Sequence, residues 1–147
     1  MTNPIGFQVT VDADDPHAQA RFWAAALHYE VEDQDAFIRD LLDQGHVNED
    51  DVLEVDGRLA FRIGAGIRPP ADSETSGQGT RVLFMRVPEP KQSKNRVHLD
   101  LGVGRDRIDQ EVERLTRLGA TELYRVDEPG AFHTTMQDPE GNEFCVQ

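Results

Sequence analysis

The chain has 147 residues, enough for one domain with a substantial core, and its formal net charge of -13 comes from 28 acidic and 15 basic residues. An acidic surface repels a phosphate backbone, so we expect no nucleic-acid partner. The single cysteine excludes an internal disulfide framework and a zinc site built from several thiolates. No segment reaches the roughly 20 apolar residues of a membrane span, and the first residues lack a leader pattern, so we expect a cytoplasmic protein without a membrane partner.

The first predicted strand is IGFQVTVD, residues 5–12, in which apolar residues alternate with polar ones. That alternation is typical of a strand with one face on a core. The residues DDP at 14–16 follow, and an acidic cap before a first-turn proline predicts the start of a helix. This helix is expected to run to about Leu27, with Phe22 on its apolar stripe and Gln19 on its wetter side.

The middle of the chain predicts short strands around a second, shorter helix. YEVED, VLEVDGRLAFRIG and TRVLFMRV have strand character. The segment DQDAFIRDLLDQG, residues 33–45, predicts an amphipathic helix that buries Phe37, Ile38, Leu41 and Leu42. The segment 67–79 is rich in proline, glycine and serine, which predicts a mobile loop.

The order of strand, helix and further strands recurs about ninety residues along the chain. VHLDLGV, residues 97–103, predicts a strand with His98 and Asp100 on one face. A second helix is expected from Asp106, with an apolar stripe that ends at Leu118 before a terminating glycine. TELYRVD, AFHTTMQD and NEFCVQ predict three more strands, so the sequence indicates an internal duplication.

Three stretches carry a resemblance to a known family: DADDPHAQARFWAAALHY, VPEPKQSKNRVHLDL and DPEGNEFCV. The chain resembles the vicinal oxygen chelate superfamily, the glyoxalase, bleomycin-resistance and extradiol-dioxygenase group, and within it the glyoxalase-like domains. The resemblance implies a single α+β domain over residues 1–147, with one βαβββ module at about 1–90 and a second at about 91–147. The two modules are expected to form a curled eight-stranded mixed sheet around a cup, with the helices outside. The resemblance also implies a homodimer.

The resemblance further implies where a metal would bind. In metal-using relatives the ligands come from four strands, and their positions fall on Gln8, Phe84 or Met85, His98 and Cys145. Two of these positions depart from the family pattern, because an apolar residue replaces one ligand and a thiol replaces a carboxylate. We therefore expect no metal and no other cofactor, with a divalent metal as the disfavoured alternative.

The polar residues on the inward faces of the strands form the candidate site. His98 is the expected general acid or base, supported by Asp100 and Glu143. The alternatives are that His98 is a hydrogen-bonded interior histidine and that Asp100 caps a turn. The remaining expected ligand-binding residues are Gln8, Thr10, Phe84, Lys94, Arg96, His133 and Cys145.

Two of these expectations have their own alternatives. Lys94 and Arg96 belong to KQSKNR, a locally basic stretch that would bind a carboxylate or phosphate of the ligand, or else form a solvated turn with surface ion pairs. Cys145 is either a nucleophile or, as buried cysteines usually are, a small hydrophobe.

Two functions follow for the expected cup. The first is a small-molecule enzyme, a lyase, isomerase or related activity, that acts on an oxygenated metabolite. The second is a non-catalytic small-molecule binding or drug-sequestering protein of the bleomycin-resistance type. A purely structural interaction domain would instead fill the cup with its own side chains.

Overall fold

The computed structural model describes residues 2–72 and 81–147. The chain divides into two compact units, Met1–Pro88 and Glu89–Gln147. Within the described residues the fold is mixed α+β, with ten strands and three α-helices. No helix in these two stretches is long and apolar enough to cross a membrane.

The described residues of the first unit form six strands and two α-helices. In chain order they are β1 (Val9–Ala13), α1 (Pro16–Leu27), β2 (Glu30–Val31), α2 (Asp35–Asp43), β3 (Val52–Val55), β4 (Arg58–Phe61), β5 (Gly64–Arg68) and β6 (Val82–Arg86). Four strands form a sheet in the order β1-β6-β5-β2, while β3 and β4 form a separate hairpin. β1 runs parallel to β6, and the other neighbouring strands are antiparallel.

Helix α1 begins where its capping residues predict. The Asp15 carboxylate accepts hydrogen bonds from the backbone N–H groups of His17 and Ala18, at 3.1 and 3.0 Å, and proline occupies the first turn. Phe22 is buried as expected. The prediction for Gln19 was wrong, because this side chain is fully buried and not on the wetter side of the helix.

Several predicted boundaries in the first unit need correction. Ile5 and Phe7 precede β1 and are 94% and 83% exposed, so the apolar alternation starts before the strand does. Phe37, predicted to be buried by α2, is 55% exposed, whereas Ile38 is fully buried. The predicted loop 67–79 starts later than expected, because its first two residues belong to β5; positions 73–79 lie outside the described residues.

The second unit repeats the arrangement with four strands and one α-helix. They are β7 (Asp100–Leu101), α3 (Ile108–Leu118), β8 (Thr121–Glu128), β9 (Ala131–Gln137) and β10 (Glu143–Val146). The sheet order is β7-β10-β9-β8, and β7 runs parallel to β10. In both units the first strand therefore pairs with the last one, and the second strand lies at the opposite edge. The expected closure of the two sheets around one cup stays a prediction.

The second unit also shows where alternation overestimates a strand. Val97 is 85% exposed, and the strand predicted over residues 97–103 is reduced to Asp100–Leu101. A 3-10 turn at Arg105–Arg107 precedes α3, and Gly119 ends that helix at a φ of 119°, where a glycine costs little. Leu118 is 39% exposed, so the buried stripe of α3 ends one turn before the predicted residue.

Candidate functional site

Strands β7, β9 and β10 bring polar side chains to one face of the second sheet. Cys145 pairs with Asp100 on one side and with Thr135 on the other. Paired residues point to the same face of a sheet, so these three side chains are neighbours. Phe144 and its partner Met136 point to the opposite face and are buried.

The polar face opens into a cavity of about 240 Å³. Its lining includes six predicted site residues: Lys94, His98, Asp100, His133, Glu143 and Cys145. Thr135, which the strand alternation places on the same inward face, also lines it, together with Tyr124 and Gln147, which were not predicted as site residues. Since pockets for drug-sized ligands measure roughly 300–1,000 Å³, a cavity of this size fits a small metabolite.

His98 and Asp100 form a hydrogen-bonded pair at this cavity. The Nδ1 atom of His98 lies 2.8 Å from Oδ1 of Asp100, and the two side chains are 38% and 42% exposed. The alternative of an interior histidine therefore does not hold. An ionised carboxylate holds a proton on Nδ1, which leaves the lone pair of Nε2 for proton transfer to or from a ligand.

Cys145 contributes a buried, protonated thiol. Its Sγ lies 3.6 Å from the hydroxyl of Thr135. Burial raises the pKa of the Cys145 thiol, and the negative charge of Asp100 raises it further. The thiolate is the nucleophilic form, so the structure favours the interpretation of Cys145 as a small hydrophobe.

Glu143 has both carboxylate oxygens engaged. Oε1 accepts a hydrogen bond from Nζ of Lys91 at 3.1 Å, and Oε2 accepts one from the backbone N–H of Asn95 at 2.8 Å. Burial alone would raise the pKa of Glu143, but the hydrogen bonds from Asn95 and Lys91 hold it below its usual range. Glu143 thus ties the segment before β7 to β10. We name this set the Lys91–Glu143–Asn95 anchor.

Lys94 and Arg96, two residues of the basic stretch KQSKNR, have different surroundings. Nζ of Lys94 is 3.4 Å from the carbonyl oxygen of Asn95, and its side chain lines the cavity. Arg96 is exposed and does not belong to the cavity lining. Sequence reasoning missed Lys91 as the partner of Glu143, although its position in the one locally basic stretch was a usable signal.

The other predicted ligand-binding residues, Gln8, Thr10 and Phe84, belong to the first unit. Gln8 accepts a hydrogen bond at 3.3 Å from Nη1 of Arg81, and Thr10 is exposed on β1. Phe84 is fully buried, so its side chain packs in the core of that unit and lines no described cavity.

Phe84 lies on the opposite face from its two neighbours along β6. It shares its face of the sheet with Val11 and Ala65, which pair with it in the register. Leu83 and Met85 point to the other face and line a cavity of the first unit. The metal-ligand position that the family resemblance assigns to Phe84 or Met85 on β6 therefore provides no polar ligand atom.

Three side chains of the second unit bring candidate metal-ligand atoms together. His98, Asp100 and Cys145 have candidate ligand atoms within 4.8 Å of one another. A carboxylate hydrogen-bonded to Nδ1 is compatible with a histidine that binds a metal through Nε2, but the imidazole, carboxylate and thiol that converge here are a mixed set that selects no particular metal.

Several solved structures have a fold similar to that of this chain. Among solved structures, a glyoxalase/bleomycin resistance protein/dioxygenase family enzyme from Burkholderia phytofirmans has 13% identity and a TM-score of 0.60, covering 95% of this chain and 94% of that chain. The fosfomycin resistance protein FosX from Mesorhizobium loti has 13% identity and a TM-score of 0.60, covering 100% of this chain and 92% of that chain. FosX from Listeria monocytogenes, solved with Mn(II) and 1S,2S-dihydroxypropylphosphonic acid, has 12% identity and a TM-score of 0.60, covering 100% of this chain and 90% of that chain.

These identities are low enough that the solved structures show the fold alone. The comparison with curated protein sequences gives no match. The sequence profile of the family named "Glyoxalase-like domain" matches residues 8–147. The chain therefore belongs to the glyoxalase-like domain family.

Proposed function

We propose that the cavity of the second unit binds a small oxygenated metabolite and that His98 acts there as a general acid or base. The observation that carries this proposal is the 2.8 Å contact between His98 Nδ1 and Asp100 Oδ1 at the cavity wall. A carboxylate behind an imidazole fixes its tautomer, and the imidazole of His98 is exposed enough to reach a ligand.

The charge of the cavity wall supports an oxygenated ligand. Lys94 brings an ammonium group, which attracts a carboxylate or a polarised carbonyl oxygen. Thr135 and Tyr124 add hydroxyl groups that donate or accept hydrogen bonds. Glu143 takes part through the Lys91–Glu143–Asn95 anchor, which holds the segment that leads to His98.

The chemistry that these groups support is proton transfer beside a carbonyl group, as in an isomerase or a lyase. The proton moves between a carbon of the ligand and Nε2 of His98, while Lys94 stabilises negative charge on the ligand oxygen. The neutral thiol of Cys145 shapes the cavity and takes no part in covalent chemistry. Solved structures of the same fold that are described as a family enzyme and as fosfomycin resistance proteins support a small-molecule ligand.

The alternative is binding without turnover, of the bleomycin-resistance type. One observation favours it: Glu143, one of the three predicted catalytic residues, is committed to Lys91 and Asn95. A homodimer belongs to both versions of the proposal, and the exposed apolar side chains of Ile5, Phe7 and Val97 support it. Light scattering would then give about twice the mass of the 16.5 kDa chain.

Turnover of an identified ligand separates the two versions. A mixture of small hydroxy and keto acids is screened by ligand-observed NMR, and each bound compound is incubated with wild type and variants. We expect His98→Ala to lose turnover and Asp100→Asn to lower it with a changed pH profile, because the amide no longer fixes the tautomer. His46→Ala, at an exposed position of the first unit, is the matched control. Undiminished turnover in His98→Ala would contradict the assignment, and binding without turnover would support the alternative.

A further inference from the structure

The first unit contains a second, larger cavity of about 460 Å³. Its apolar wall comes from α2, β4, β5 and β6 and includes Phe37, Phe61, Ile63, Leu83 and Met85. The rings of Phe37 and Phe61 meet edge to face, with their centroids 6.3 Å apart. Phe37 and Ile63 remain 55% and 60% exposed, so this wall presents apolar surface that the chain itself does not cover.

Every charged side chain in the described lining of this cavity has a partner of opposite sign. Arg21 pairs with Asp56 at 3.8 Å, Arg58 with Asp33 at 2.6 Å and Arg81 with Glu32 at 2.7 Å. His17 is likewise engaged, because its Nε2 lies 2.8 Å from the carbonyl oxygen of Phe61. The Arg81–Glu32 pair is the most buried of these, with side chains 26% and 13% exposed, so a charged ligand that binds there would have to break it, whereas an uncharged ligand would not.

A glycine fixes the polar part of the cavity wall. Glu32 accepts hydrogen bonds from both Arg68 and Arg81 at 2.7 Å, and its side chain is only 13% exposed. A Cβ atom at Gly66 would lie 1.7 Å from Oε1 of Glu32 and 2.7 Å from Nη2 of Arg81. The missing side chain at position 66 is therefore what lets the ion pair lie against β5.

We propose that this cavity is a binding site for an uncharged, apolar ligand that contains a planar ring. Aromatic edges and a thioether on the wall suit a planar ring, and the complete pairing of the charges selects against an ionised ligand. None of the lining residues belongs to the cavity of His98, so this site does not depend on the function proposed above.

The test uses the full chain and two ring dyes, uncharged Nile red and the anionic 1-anilinonaphthalene-8-sulfonate. Nile red is expected to bind one equivalent per chain with increased fluorescence. Phe37→Ala should weaken this binding about tenfold, which corresponds to an aromatic contact worth ~1.4 kcal/mol. Leu123→Ala is the control, because Leu123 is an exposed apolar residue, 42% accessible, that lies outside both cavities.

A second variant guards against misfolding of Phe37→Ala. Ile63→Ser changes an exposed position of the same wall and is expected to weaken Nile red binding by a smaller factor while the circular dichroism spectrum stays unchanged. The anionic dye should bind more weakly than Nile red in every variant. Equal Nile red affinity in Phe37→Ala and Leu123→Ala, a loss on His98→Ala instead, or tighter binding of the anionic dye would each overturn the proposal.

Discussion

Replacing Glu143 by glutamine should loosen the segment that leads to His98. The amide oxygen of Glu143→Gln can still accept the hydrogen bond from the Asn95 N–H, but its NH₂ group then faces the ammonium of Lys91. Two donors that face each other replace an ion pair whose atoms were 3.1 Å apart. The Lys91–Glu143–Asn95 anchor would therefore lose the ion pair with Lys91 and keep the hydrogen bond from the Asn95 backbone.

The size of the effect follows from burial. The side chains of Lys91 and Glu143 are 18% and 10% exposed, so solvent screens this pair far less than a surface pair, which contributes about 0–1 kcal/mol. A hydrogen bond to a charged group contributes about 1.5–3 kcal/mol, so we expect Glu143→Gln to lower the free energy of unfolding by about 1–3 kcal/mol. Lys91→Met should cost a similar amount, and the double variant should cost less than the sum.

Urea unfolding at pH 7, followed by circular dichroism, measures the free-energy change. Hydrogen exchange of the Cys145 amide, which donates to the Leu99 carbonyl at 3.0 Å, reports locally on the same segment. Glu113→Gln is the matched control, because Glu113 forms a 2.8 Å ion pair with Arg117 whose side chains are 74% and 65% exposed. A cost for Glu143→Gln no larger than for Glu113→Gln would refute the reasoning.

The same anchor predicts a pH dependence with a definite sign. The folded protein lowers the pKa of Glu143, so its charge stabilises the fold fully above the unfolded value of about 4.3. That contribution is lost as the pH falls through the folded pKa. The stability difference between wild type and Glu143→Gln should therefore shrink below about pH 4, while a difference that stays constant on acidification would contradict the assignment.

Three further outcomes test other parts of the structure. Gly66→Ala should lower the free energy of unfolding by about 1–3 kcal/mol, because the added Cβ overlaps Glu32. Gly102→Ala is the control and should lower it by less than about 0.5 kcal/mol, since no atom lies within 4 Å of a Cβ at that position. Equal effects of the two substitutions would contradict the close approach of Gly66 to Glu32. Alkylation of Cys145 by iodoacetamide should be slow at pH 7 and accelerate only above the usual thiol pKa; rapid alkylation at neutral pH would show an accessible thiolate. Elemental analysis after gentle purification should find far less than one metal ion per chain. A full equivalent of metal that is lost on His98→Ala would show that His98 and its neighbours do bind a metal.

Much of the fold could be predicted from local patterns. Local signals predicted several elements correctly, because each signal depends only on nearby residues. They are the cap at Asp15, the terminating glycine at 119 and the alternation along β9 and β10. The failures at Ile5 and Val97 have a shared cause. Alternation describes the two faces of an extended chain, but whether a neighbouring strand pairs with it depends on residues far away in the sequence.

The candidate site shows the same division. His98 and Asp100 are two residues apart, so the alternation of an extended chain was enough to predict that they meet, although only Asp100 lies in the observed strand. For Phe84, counting from family landmarks left a choice between adjacent residues, and a shift of one residue reverses the face. The partner of Glu143 was missed because Lys91 lies 52 positions away: the basic stretch marked Lys91 as a candidate cation, but no local pattern says which carboxylate it pairs with.

The most direct test of the central claim is deuterium exchange into a ligand that the protein binds. A bound hydroxy or keto acid is incubated with the protein in D₂O, and ¹H NMR follows the proton on the carbon next to the carbonyl group. If His98 transfers that proton, wild type should replace it with deuterium well above the uncatalysed rate, and His98→Ala should not. Exchange that persists in His98→Ala, or a bound ligand with such a proton that wild type leaves unexchanged, would contradict the general acid or base role of His98.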